Sequence, residues 1–218
     1  MSSADSILLW ATSVANAWRW LAISWHVGLA VVLVAAAMRP RVSERSAAFL
    51  CVLPVTSVAA VAWMSGNPFN GTMFTLLAVV LLRAAAKLPK HVVVASASWP
   101  WFLTGAGLVG FGWLYPHFLI TDTPAAYAYA SPFGVLPCPT LSVIIGVMLA
   151  IGGFRSAEWN AVLTAAGVLY GWIGVFMLGV TLDVWLLGGA ILLGGRVITR
   201  TRALTHRADR RAPRTAVP

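Results

Sequence analysis

Residues 18–38 read WRWLAISWHVGLAVVLVAAAM and are followed at once by Arg39, Pro40 and Arg41. After Arg19 no charged side chain interrupts the run. Its length is that of a helix crossing the ~30 Å hydrocarbon layer of a bilayer. A helix of a soluble domain would carry a continuous polar face, and this one has none. Outward from it, further apolar stretches cover 46–64, 69–88, about 99–120, 138–154, 160–179 and 181–199. Composition agrees: Ala, Val, Ile, Leu, Met, Phe, Trp, Tyr and Cys make up 60% of the 218 residues, and charged residues only 10%. A soluble average carries roughly 25% charged residues, so a soluble globular enzyme is excluded. The expected fold is all-α, a polytopic transmembrane helical bundle of about seven spans. Residues 1–17 form an outer segment, 18–199 the transmembrane domain and 200–218 a basic tail.

The formal net charge of +9 assigns the sides. With seven spans, Arg39, Arg41, Arg45, Arg83, Lys87, Lys90, Arg155 and every arginine from Arg196 onward fall on one face, leaving Arg19 alone near the other. The positive-inside rule then predicts the N-terminus outside and the C-terminus in the cytoplasm, in the cell inner membrane. Residues 1–17 carry Asp5 and no Lys or Arg, so the first span is expected to be retained and not cleaved as a signal peptide at Ala35–Ala37. The tail RVITRTRALTHRADRRAPRTAVP directly follows a span, where basic segments meet anionic lipid headgroups, so nucleic acid is not the expected partner.

The candidate chemistry gathers on the outer side. In Pro137-Cys138-Pro139-Thr140 the thiol is expected at the cap of the fifth span, with proline at the first helical position. The positive end of a helix dipole favours a thiolate there. A rigid loop-to-helix corner holding a half-buried cysteine is the plainer reading. His117, Asp122 and Asp183 are expected on the same side and, with Cys138, offer mixed S, N and O donors. None shows a fixed metal-ligand spacing, and Asp183 also suits the N-cap of the last span. Cys51, the other of the two cysteines, belongs near the cytoplasmic end, so no disulfide to Cys138 is expected.

His26, deep in the first span, is the candidate intramembrane residue, either a haem or metal ligand or a hydrogen-bonding side chain. Pro100 and Pro116 are expected kinks in the fourth span. Gly167-x-x-x-Gly171 and Ala190-x-x-x-Gly194 are small-residue packing faces, and Gly105, Gly107, Gly110 and Gly112 make the fourth span deformable and closely packable.

The run Ser131-Pro132-Phe133-Gly134-Val135-Leu136-Pro137-Cys138-Pro139-Thr140 resembles the P-x-F-G-x-P-C-P-T signature of a bacterial family of small multi-pass membrane proteins catalogued as a domain of unknown function. Tyr115-Pro116, Asn67-Pro68 and Asp183 are similar too, and the resemblance spans roughly residues 15–195. Leu136 is an extra residue within the signature. The resemblance implies the membrane fold and marks Cys138, but it names no reaction.

No Walker A, H-E-x-x-H or G-x-S-x-G motif is present, and the last span has no lysine for a retinal Schiff base. The sequence leaves the cofactor open, with Cys138 and His117 as the ligands if a metal binds, and the reading leans away from an enzyme. Three functions stay open. The first is a small-solute or soft-metal carrier with an outer site near Cys138. The second is an accessory subunit of a larger membrane assembly, or a homo-oligomer. The third is a haem- or quinone-linked oxidoreductase using His26.

Overall fold

A computed structural model of the protein describes residues 3–38, 42–93 and 97–211. Arg39, Arg41 and Arg214 of the charge argument lie outside them. Among the described residues the fold is all-helical. Its helices are α1 (Ser3–Ala17), α2 (Arg19–Met38), α3 (Glu44–Met64), α4 (Pro68–Lys87), α5 (Trp99–Leu114), α6 (Tyr127–Ala130), α7 (Pro137–Ile151), α8 (Ala157–Trp172) and α9 (Val184–Arg211). Among the described residues, five segments are long and apolar enough to cross a membrane: Arg19–Ala36, Glu44–Met64, Pro68–Lys87, Ala157–Met177 and Thr181–Thr199.

The other two expected spans are shorter than the sequence suggests. α5 stops at Leu114, where Tyr115 takes a non-helical backbone and ends the helix. Pro100 and Pro116 are therefore not kinks. Pro100 sits in the first turn of α5, where a missing N–H costs nothing, and Pro116 follows the helix end. α7 has 15 residues, a rise of roughly 22 Å. It is buried on all sides, including Leu141, Ile144, Ile145, Met148 and Leu149, as expected of a helix apolar all round. Within the expected outer segment, Ser3–Ala17 form the helix α1. The start of the expected tail continues α9 as far as Arg211.

α5 and α7 run antiparallel at backbone contact. A Cβ on Gly112 would lie 2.7 Å from the Pro139 carbonyl oxygen, and one on Gly146 would lie 2.7 Å from that of Gly105. Around Gly107 and Gly110 the space is open. Only half of the glycines in this helix serve the packing. α8 and α9 pair in the same way: Gly167 meets Ala190, Gly171 meets Leu187 and Gly194 meets Thr164. The two small-residue faces thus pack against each other within one chain.

Polar contacts group the loops into two ends. At one, Glu44 (5% exposed) pairs with Arg155 at 3.2 Å, Lys87 pairs with Glu158 at 3.2 Å, and Arg45 donates to the Leu88 carbonyl at 2.8 Å. At the other, α1 bridges the turns. Trp10 donates to the Ser65 carbonyl at 2.8 Å, and Asn16 donates to Phe118 and accepts from the Ile120 amide at 2.9 and 3.0 Å. The second end holds the cavity described next.

Candidate functional site

The segment Ser131–Leu136 is buried although it is not helical. Buried backbone needs partners for its amides and carbonyls, and this segment has them. Leu136 N–H donates to the Pro132 carbonyl at 2.9 Å, and Gly134 N–H donates to the Thr140 hydroxyl oxygen at 2.9 Å. The Gly134 carbonyl accepts from Ser57 at 2.6 Å, whose own oxygen accepts from the Trp25 indole at 2.9 Å. Gly134 has φ +74, and a Cβ there would run into the Trp25 ring. Glycine is required on both counts. The signature stretch is thus a buried corner tied to α2 and α3.

That corner sets the start of α7. Leu136, and not Cys138, is the N-cap, and its carbonyl accepts from the Thr140 hydroxyl at 2.7 Å. The reason is the fixed φ of Pro137, which suits the first helical position, while Pro139 still falls in the first turn, where N–H groups have no intrahelical acceptor. Cys138 is therefore the second residue of the helix. Both cysteines are free thiols.

Beside the Cys138 thiol lies Asp183, only 2% exposed, at the end of the turn Thr181–Asp183 that leads into α9. Its carboxyl does not hang in an empty apolar surround. Tyr115, itself 0% exposed, donates its hydroxyl to Asp183 Oδ1 at 2.7 Å. The Cys138 thiol lies beside the same carboxyl. The other oxygen, Oδ2, presses against Gly174, where no Cβ would fit. Gly174 belongs to a single π-helical turn, Ile173–Met177, that continues α8. Such turns recur at functional sites because they push backbone out of the regular ladder.

Cys138, Asp183 and Gly174, with Tyr115 behind them, belong to the wall of a cavity of about 320 Å³ that is also lined by Ile7, Trp10 and Ala11 of α1. Phe69, Asn70, Phe118 and Tyr170 complete its sides. Tyr170 donates to Asn70 Oδ1 at 3.0 Å, which fixes the asparagine beside the opening. The walls are mostly apolar with a few convergent polar groups, the usual make-up of a small-molecule site.

The structure brings two of the four outer candidates together, Cys138 and Asp183. Asp122 is exposed, and neither it nor His117 lines the cavity. His117 sits in the loop beyond α5 with its ring 4.2 Å from that of Phe118, and partial burial lowers its pKa below the ordinary histidine value. Among the described residues no group of three or more His, Cys, Asp and Glu side chains is placed to hold a metal ion. His26 lies apart from the cavity and is 3% exposed. One ring nitrogen is 2.8 Å from the Ala22 carbonyl and the other 2.9 Å from that of Trp113. Coordination of a haem iron would cost one of these contacts.

Tyr115, Tyr170, Asn70 and Gly174 escape a reading of the sequence as site residues. Tyr115 and Asp183 are 68 positions apart, and Tyr170 and Asn70 are 100 apart. Only a tyrosine held before proline at a helix end hints at the first pair. No family model, curated protein or solved structure matches the chain.

Proposed function

We propose that the chain is a seven-span membrane protein, N-terminus outside and C-terminus in the cytoplasm, that binds a small solute in the cavity beside Cys138 and acts as its carrier or permeation module. The observation that carries this reading is the buried Asp183, bonded by Tyr115 and beside Cys138, on the wall of a cavity of about 320 Å³ at a break in the α8–α9 connection. Broken helices beside buried polar groups are how membrane carriers build substrate sites. The sidedness rests on charge. Arg45, Lys87 and Arg155 gather at the end opposite the cavity, and that end is the cytoplasmic one by the positive-inside rule. α5 and α7 are short for membrane spans. The buried non-helical segment Ser131–Leu136 makes up the missing depth before α7, an arrangement tolerated where protein covers the backbone.

Of the two cargo classes, a small organic solute has the better support. Cys138 and Asp183 give one sulfur and one carboxylate, too few donors for a soft metal ion. A thermal-stability screen of small solutes on the purified protein tests the reading. A solute that binds at one hundred times its Kd stabilises by about 2.7 kcal/mol. It should fail to stabilise Leu178→Trp, which fills the cavity. A screen in which no solute separates the two proteins would remove the reading.

One observation favours a second reading, an accessory subunit. Only 11% of the apolar window of α2 is buried in the bundle, and Val27, Val31, Leu33, Val34 and Met38 are exposed around its second half. A partner helix from another protein would cover that surface, and purification as a stable hetero-complex would favour this role over a free-standing carrier.

A further inference from the structure

The cavity wall carries an electrostatic imbalance that points to the class of its ligand. The groups that meet the Asp183 carboxyl are the Tyr115 hydroxyl, the Cys138 thiol and the Gly174 backbone, all without positive charge. Among the described residues, no Lys, Arg or His lines the cavity. His117, next to the lining residue Phe118, is itself outside the wall. Arg19 starts α2, whose residues contribute nothing to the wall, and the ion pairs of Arg155 and Lys87 lie at the far end of the bundle.

Two neutral donors return only part of what a carboxylate loses when it leaves water. A positively charged ligand returns much more. The remaining wall suits such a ligand, because Trp10, Phe69, Phe118 and Tyr170 all line it. Aromatic ring faces carry negative potential and attract alkylammonium groups, while also covering their methyl and methylene surface. A carboxylate opposite several aromatic rings, with no competing cation, is a site for an organic cation. It is a poor one for an anion, which would face Asp183 unscreened.

We infer that the outer cavity takes a small organic cation of the alkylammonium or arylalkylammonium class, with its charge against Asp183 and its apolar part against Trp10, Phe69 and Phe118. This rests on the cavity being a solute site, and the test keeps the two claims apart. Calorimetric titration of the full-length protein in nanodiscs would compare two matched pairs: choline with its uncharged isostere 3,3-dimethylbutan-1-ol, and 2-phenylethylammonium with 2-phenylethanol. The expected result is binding of at least one cation more than tenfold tighter than its neutral partner, with the preference lost in Asp183→Asn. Phe69 is 54% exposed, so Phe69→Leu should fold normally and weaken the cation more than the isostere. Neutral partners binding as tightly as the cations would overturn the cation assignment and leave the solute site standing. Absence of binding by all four probes would count against both.

Discussion

Substituting Gly112 by alanine should separate α5 from α7 and disturb the candidate site, whereas the same change at Gly107 should not. A Cβ at Gly112 would lie 2.7 Å from the Pro139 carbonyl oxygen, 2.8 Å from Val143 Cγ2 and 2.9 Å from the Val143 amide nitrogen. Ordinary contact begins near 3.4 Å, so the helices must part by roughly 0.7 Å, and two of the three obstacles are backbone atoms that cannot swing aside. Overpacking of this kind costs about 1–3 kcal/mol. At Gly107 a Cβ meets nothing within 4 Å, so alanine there should be neutral or gain up to ~1 kcal/mol from helix propensity. Thermal unfolding of both variants in the same detergent measures the difference. Because Pro139 follows Cys138 in the first turn of α7, Gly112→Ala should also change the rate at which a small thiol reagent reaches Cys138. A Gly112→Ala protein as stable as Gly107→Ala, with unaltered Cys138 reactivity, would refute the close antiparallel packing of these helices.

Four other substitutions probe separate parts of the structure. Tyr115→Phe removes the hydroxyl bound to Asp183 Oδ1 and leaves a buried acceptor short of a partner; a loss of about 1–3 kcal/mol is expected in thermal unfolding. Gly134→Ala combines a left-handed backbone with a collision against Trp25, so it should cost more than about 1 kcal/mol and weaken the Ser57 and Trp25 hydrogen bonds, readable in tryptophan fluorescence. Glu44→Ala breaks a pair in which the carboxylate is buried and should cost about 1.5–3 kcal/mol, whereas Lys87→Ala breaks an exposed pair and should cost under about 1 kcal/mol, both read by thermal unfolding at low salt.

Much of the architecture is legible in the sequence because bilayer physics writes it in composition. Runs such as 46–64 and 69–88 correspond closely to Glu44–Met64 and Pro68–Lys87. The fourth and fifth stretches are less legible, since hydropathy does not tell a lipid-facing helix from a segment covered by protein. Val135 and Leu136 are as apolar as any span residue, yet they lie in a buried corner before α7. The glycines of α5 look equivalent in the sequence, and only the partner helix separates Gly105 and Gly112 from Gly107 and Gly110. For the site, Cys138 and Asp183 stand out individually as unusual residues. Their contact depends on how α9 returns past α7, which local pattern does not encode. His117 and Asp122 share the outer side in sequence, yet of the loop beyond α5 it is Phe118 that reaches the cavity wall.

A solute cavity that faces the outside, opposite the basic loops, must leave Cys138 open to reagents on that side only, and sidedness labelling reads this out. In a Cys51→Ser background, intact cells would be treated with a small membrane-impermeant thiosulfonate. A second protein lacking both native cysteines and carrying Ser156→Cys, at the Arg155 end, would be treated in parallel. Cys138 should react in intact cells, and the cysteine at position 156 only once the membrane is opened. The reverse pattern, with position 156 labelled from outside and Cys138 only from within, would contradict it.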